Sequence, residues 1–151
     1  MMFEYIDRVF PKQKREQHTG NREYKIYLDL ERERNTEIRK SRNLPIRELD
    51  YLRKEKLEKK INKRATQLVY RLEEGYGRAL YIVGIKDDGT SEGITLEQLF
   101  KSMNFLFKMV EIINARIKNI RIYKGNLEDR FVFTARIEIP DYKPKQLLSI
   151  I

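Results

Sequence analysis

Apolar and polar residues alternate near the start of this chain and then shift to a longer period. Arg22-Glu-Tyr-Lys-Ile-Tyr-Leu28 sets Tyr24, Ile26 and Leu28 on one face and Glu23, Lys25 and Tyr27 on the other, the period of two that predicts a half-buried strand. Ahead of it, Met2-Phe3, Tyr5-Ile6 and Val9-Phe10 suffice for one short docking element. Pro11 then opens the polar, basic run Lys12–Gly20, read as a mobile arm or loop. Residues 1–21 are assigned to an N-terminal arm. From Glu31 to Asn43 the chain is charged and polar, which predicts a linker or loosely helical segment. Asn43 and Pro45 mark a helix start. Leu49, Leu52, Leu57, Ile61, Ala65, Leu68, Val69 and Leu72 follow at helical spacing as far as Glu74, and Gly75 and Gly77 supply the stop.

Ala79–Ile85 is apolar throughout, the signature of a central strand covered on both sides. It runs into Asp87-Asp88-Gly89, a turn that suits glycine's freedom at positive φ. The chain returns through Gly93-Ile94 to Thr95, which can cap a helix while Gln98 reaches back to it. That helix is predicted from Leu96 to about Arg116, with Leu99, Phe100, Met103, Leu106, Phe107, Val110 and Ile113 as its apolar stripe. A hairpin follows, pairing Ile120–Tyr123 with Arg130–Ile139. In its second strand Phe131, Phe133, Ala135, Ile137 and Ile139 face one way, and Val132, Thr134, Arg136 and Glu138 the other. The expected fold is α+β: a mixed sheet of four to six strands, two main helices on one face, and one long basic helix partly projecting. Residues 22–141 form the domain, with a basic insertion at about 31–63; residues 142–151 form a tail whose end, Gln146–Ile151, is apolar.

Charge sharpens this picture. Residues 1–64 carry 19 Lys+Arg against 12 Asp+Glu, and residues 65–151 carry 13 against 11, so most of the +9 sits in the first half. A concentrated excess of this kind points to a polyanionic partner. Cysteine is absent, which excludes disulfides and thiolate metal sites. No apolar run approaches the ~20 residues of a membrane span, and no hydrophobic signal segment opens the chain, so a cytoplasmic protein without a membrane partner is expected.

The chemistry-bearing motifs are few. Neither a P-loop nor a Gly-x-Gly-x-x-Gly occurs, which excludes a GTPase, ATPase or dinucleotide enzyme within these residues. His18, the sole histidine, cannot build a multi-histidine zinc site. Glu23 near the start of one strand, and Asp87 and Asp88 at the end of another, could converge if the strands are neighbours. Carboxylates are the oxygen ligands that Mg²⁺ prefers, so these three would be both the metal ligands and the catalytic residues of a nuclease; without that activity no cofactor is expected. Asp-Asp-Gly is also ordinary turn chemistry. Lys59, Lys60, Lys63 and Arg64, with Arg53 and Lys56, form the basic part of the long helix, and Lys12, Lys14 and Arg15 of the arm could extend it. Such clusters hold phosphate through counterion release.

Gly20–Leu28, Ala65-Thr-Gln-Leu-Val-Tyr-Arg-Leu-Glu-Glu-Gly75 and Ala79-Leu-Tyr-Ile-Val-Gly-Ile-Lys-Asp-Asp-Gly-Thr90, continuing to Arg136-Ile-Glu-Ile-Pro-Asp141, closely resemble the N-terminal domain of the GTP-binding-protein-1-like translational GTPases, relatives of elongation factor 1 alpha. The resemblance covers roughly residues 20–141; the basic segment at about 31–63 is enlarged relative to the family. It implies a translation- or RNA-associated domain that acts without its own GTPase, with RNA, the ribosome or a separate translational GTPase as partner. A more distant resemblance is to Schlafen/AlbA-2 domains, some of which cleave tRNA and rRNA with three acids. Glu23 matches one acid and Asp87 or Asp88 another, while the third, expected about five residues before Glu23, falls at His18. Three functions are therefore carried forward. They are a non-enzymatic RNA- or ribosome-binding accessory protein, a metal-dependent ribonuclease, and an interaction module that docks through its tail or self-associates through a strand edge.

Overall fold

A computed structural model describes residues 1–28 and 46–144, with side chains described from residue 51 onward in the long helix except at 53 and 57. The linker reading for 31–43, the residues Leu49 and Leu57 of the predicted stripe, the Arg53 side chain and the tail Gln146–Ile151 lie outside the described residues.

The elements follow in the order β1 (Met2–Val9), β2 (Arg22–Lys25), α1 (Ile46–Glu74), β3 (Arg78–Val83), α2 (Leu96–Ile112), β4 (Arg116–Lys124) and β5 (Phe131–Glu138). They build a five-stranded mixed sheet in the order β1-β4-β5-β3-β2. β1 runs parallel to β4 and β2 parallel to β3, while β5 is antiparallel to both its neighbours. The fold is α+β. Among the described residues no helix is long and apolar enough to cross a membrane.

Both helices lie on one face of the sheet. Ala65, Leu68, Val69 and Leu72 of α1 and Leu99, Phe105, Leu106 and Met109 of α2 bury against Ala79, Tyr81 and Val83 of β3 and Phe133, Ala135 and Ile137 of β5. The α1 stripe ends as predicted, at Glu74. The Gly77 amide donates back to the Leu72 carbonyl at 2.7 Å, and Gly77 itself sits at φ +86°, with Tyr142 packed where a Cβ would stand. The predicted cap of α2 is present in both directions. Gln98 N–H donates to Thr95 Oγ1 at 3.2 Å, and Thr95 N–H donates to Gln98 Oε1 at 3.1 Å. That helix stops at Ile112 rather than near Arg116, because Asn114 turns to φ +54° and Arg116 already begins β4.

Three further differences from the sequence reading shape the site. Met2–Val9, within the stretch read as an arm, is an edge strand; its side chains are exposed except at the half-buried Ile6, so no period of two is visible in it. β2 ends at Lys25, because both Gly84 N–H and Ile85 N–H converge on the Lys25 carbonyl at 2.8 and 3.1 Å. Leu28 then bends into the helix-side core, its amide donating to Ser102 Oγ at 2.9 Å, instead of sharing the face of Tyr24. Finally, Lys12–Gly20 is pinned. Gln13 N–H donates to Gly89 O at 2.9 Å, Glu16 N–H to Asp87 O at 2.8 Å, and Tyr24 Oη to Lys14 O at 2.8 Å.

The segment after β1 covers half of the second sheet face. Phe10 packs edge-on against Tyr123 with ring centroids 5.0 Å apart, over a small cluster with Tyr24, Ile82, Ile85 and Val132.

Carboxylate cluster and candidate nucleic-acid interface

The acids predicted to converge do so only in part. Glu23 is buried on the helix side of β2, where its carboxylate accepts from protein cations. Its Oε2 lies 2.6 Å from Arg71 Nε and its Oε1 3.3 Å from Lys25 Nζ. Arg71 is a buried cation beside the apolar stripe of α1. Its remaining donors reach the carbonyls of Gln17, Gly20 and Thr19 at 3.0, 3.0 and 3.3 Å, so the guanidinium ties the helix to the strand and to the segment before it. Glu16 joins from that segment, 3.8 Å from Arg71, and accepts the outward amide of Tyr24 on the free edge of β2. Burial pushes the Glu16 carboxyl above its ordinary value, and the nearby Glu23 charge adds to the rise.

Asp88 has a different role. Its Oδ1 accepts Thr90 N–H at 2.8 Å inside the turn, which holds its pKa below the usual carboxylate value. Asp87 is exposed, and its carbonyl anchors Glu16. The structure therefore brings Glu16 rather than Asp88 to Glu23, and the carboxylate side already holds a guanidinium. Among the described residues no group of three or more His, Cys, Asp or Glu is placed to hold a metal ion. His18 lines an open hollow of about 390 Å³ beside this cluster with Tyr70, Gln67 and Glu74. Tyr81, fully buried nearby, has a hydroxyl with no hydrogen-bond partner, and burial pushes its pKa up.

The basic helix is arranged differently from its neighbours in the core. Lys56, Lys59, Lys60, Lys63 and Arg64 recur at i, i+3, i+4, i+7 and i+8 and so form one stripe; Lys59 and Lys63 face away from Ala65 and Leu72, while Arg64, one turn from Leu68, borders the buried side. Lys59 and Lys63 are exposed; Lys56, Lys60 and Arg64 are half-buried and engaged with other groups. Lys59 stands 3.8 Å from Glu55 one turn away, a solvent-exposed pair of little energetic weight. Ala65 is the first buried residue of the described part of α1, so the basic stripe lies on the part of the helix that runs past the core. At 29 residues and ~1.5 Å each, α1 is about 43 Å long. Lys12, Lys14 and Arg15 are exposed beside the Asp87–Gly89 turn, at the end of the sheet toward which the first half of α1 extends. Tyr70 and Tyr76 are exposed as well.

Sequence reasoning missed Arg71 and Glu16. Position 71 flanks the apolar positions 65, 68, 69 and 72, so the helical spacing alone gave no signal for it. A second feature was missed entirely: cations from four strands, Arg22, Arg78, Lys118 and Arg136, surround a hollow of about 260 Å³ on the sheet face away from the helices.

No protein-family model matches this sequence, and no solved structure matches it. Among curated proteins it is 38% identical over 56 residues to GTP-binding protein 2 of Mus musculus and to GTP-binding protein 2 of Homo sapiens. The matched stretch is 37% of this chain and spans only 9% of the length of either relative. The chain thus shares one segment with a GTP-binding protein.

Proposed function

We propose that this chain is a non-enzymatic RNA- or ribosome-binding domain linked to translation, which grips phosphate through the basic stripe of α1. The observation that carries this reading is the placement of that stripe: five cations along one strip of a helix, N-terminal to its first described buried residue, with Lys59 and Lys63 exposed on the side away from the core. A helix that serves only packing has no need to extend a cationic ridge past its core. The shared segment with a GTP-binding protein, and the resemblance to the N-terminal domain of translational GTPases, support the link to translation and leave a separate GTPase as a further partner. The buried Arg71–Glu23 pair favours this reading over a ribonuclease, because a divalent cation at Glu23 would have to displace a guanidinium already bonded at 2.6 Å.

Co-sedimentation with ribosomes and with free RNA at low and moderate salt tests the proposal. Salt-sensitive co-migration is expected, weakened in Lys59→Glu/Lys63→Glu with a shallower salt dependence. Absence of binding to either at low salt overturns it.

A further inference from the structure

Among the described residues, the face of the sheet turned away from the helices is covered over one half only. Phe10 and the residues after it close the half that contains Tyr24, Ile82, Tyr123 and Val132. The other half is open, and cross-strand register puts Arg22 of β2 opposite Leu80 of β3, Leu80 opposite Arg136 of β5, and Arg136 opposite Asn119 of β4. Arg22 and Arg136 thus stand two strand spacings apart, about 10 Å, along one row across the sheet. Arg78 lies on the row beside it, and Lys118 sits at the irregularity between Ile117 and Asn119, where β4 carries one extra residue.

All four cations are exposed, and none forms an ion pair with a described carboxylate. The one acid lining the hollow, Glu138, is bonded to Arg116 at 2.6 Å; that bond, with the nearby charges of Lys118 and Arg78, keeps its carboxyl below the usual range, and a single carboxylate leaves the surrounding cations in excess. Like charges gathered on one concave surface repel one another, and an anion bound among them removes that cost. The chemistry of the surface also limits what the anion can be. Among the described residues lining it, Leu80 is half-buried and the Ile137 side chain belongs to the helix-side core, while Tyr24 and Tyr123 of this face are buried under the Phe10 segment. The exposed ring of Tyr76 lies in the adjoining hollow that shares Arg78 and Glu138, and no described aromatic side chain lines this one, so the contacts within it are to phosphate and independent of sequence.

We infer that the open half of this sheet face is a second phosphate-binding surface, which seats the backbone of a single RNA strand laid across β2, β3, β5 and β4. The strand enters a hollow bounded by side chains of four strands, a shape that suits a single backbone better than the width of a duplex. The choice of RNA as the polyanion rests on the proposed function above; the cationic hollow itself does not. It lies on the other face from α1, where β3 begins and β5 ends, so the two basic surfaces engage separate stretches of RNA.

Fluorescence anisotropy with a labelled oligouridylate across a salt series tests this. The variant Arg22→Gln/Arg78→Gln/Lys118→Gln/Arg136→Gln should bind about tenfold or more weakly, with the salt slope reduced by about 2 to 3, close to 0.7 for each phosphate no longer neutralised. The charge-conserving variant Arg22→Lys/Arg78→Lys/Arg136→Lys should keep most of the affinity, which separates lost charge from lost folding. Unchanged affinity and slope in the Gln variant, with Lys59→Gln/Lys63→Gln weakened, would overturn the second surface and leave the proposed function standing. No oligouridylate or ribosome binding by the natural chain at low salt would overturn both. Binding to phosphatidylserine vesicles in place of RNA, abolished in the same Gln variant, would likewise overturn the assignment of RNA to this surface.

Discussion

Arg71 Nε and Glu23 Oε2 lie 2.6 Å apart, joining the long helix to the edge strand β2 in a setting where both side chains are almost closed to water. An exposed pair at this distance contributes little, but a buried one cannot lose a single partner cheaply. Replacing Arg71 with Met leaves Glu23 with Lys25 alone and frees three carbonyls of residues 17–20. Arg71→Met should therefore destabilise the domain by about 3–5 kcal/mol, measured by urea unfolding. Adding Glu23→Leu should restore a good part of that loss, and a double variant no more stable than Arg71→Met alone would show that the pair is not the cause.

Glu16 gives the cluster a pH dependence of unusual sign. Burial and the Glu23 charge raise its pKa in the folded state above the ordinary 4.5, so the folded chain takes up this proton more readily than the unfolded chain. The penalty for the charged form is fully present above the folded pKa and is relieved as pH falls through it toward 4.5. In Glu16→Gln that term is absent. The stability of the natural chain relative to Glu16→Gln should rise as pH is lowered from 7 to 4.5, read from urea midpoints at both; a constant difference would exclude Glu16 as the titrating group.

Gly89 is where the N-terminal segment meets the acidic turn. It sits at φ +93°, and a Cβ there would come within 1.9 Å of the Gln13 carbonyl. Gly89→Ala combines the cost of a left-handed alanine with a backbone clash, about 1–3 kcal/mol or more. The damage should be local. Amide exchange should accelerate at Gln13 and Glu16, whose partners are Gly89 and Asp87, before it does in β5.

Thr95→Ala removes the hydroxyl that accepts the Gln98 amide and leaves one half of the capping box. A loss of about 1 kcal/mol is expected, measured as a shift of the unfolding midpoint without a change in slope. Thr95→Ser should recover most of it.

Much of this architecture could be read from local pattern. The capping box of α2, the C-terminal limit of α1 at Glu74 and the alternation of β5 each depend on residues within a few positions of one another, and each is found where the spacing puts it. β1 was not legible, because an edge strand exposed on both faces has no apolar alternation and its partner β4 lies more than a hundred residues away. Arg71 was hidden for a related reason: position 71 reads as helix surface until the course of residues 16–20 around the β2 edge is known. The cationic hollow is assembled from positions 22, 78, 118 and 136, and only strand order makes them neighbours.

The sheet order also bears on how the chain reaches its native state. β1 and β4 form one parallel pair, β2 and β3 another, and the strand that joins them is β5, the last of the five in the sequence. Until Phe131–Glu138 is in place, each pair keeps an open inner edge and the helices have only half of their shared floor. Every strand pairing except the β4–β5 hairpin spans a long stretch of chain, so loop-closure entropy is lost before the contacts repay it. The consequence is a sheet whose one local pairing is the β4–β5 hairpin, onto which β3, β2 and β1 must all close over long stretches of chain, so the domain assembles as one cooperative unit.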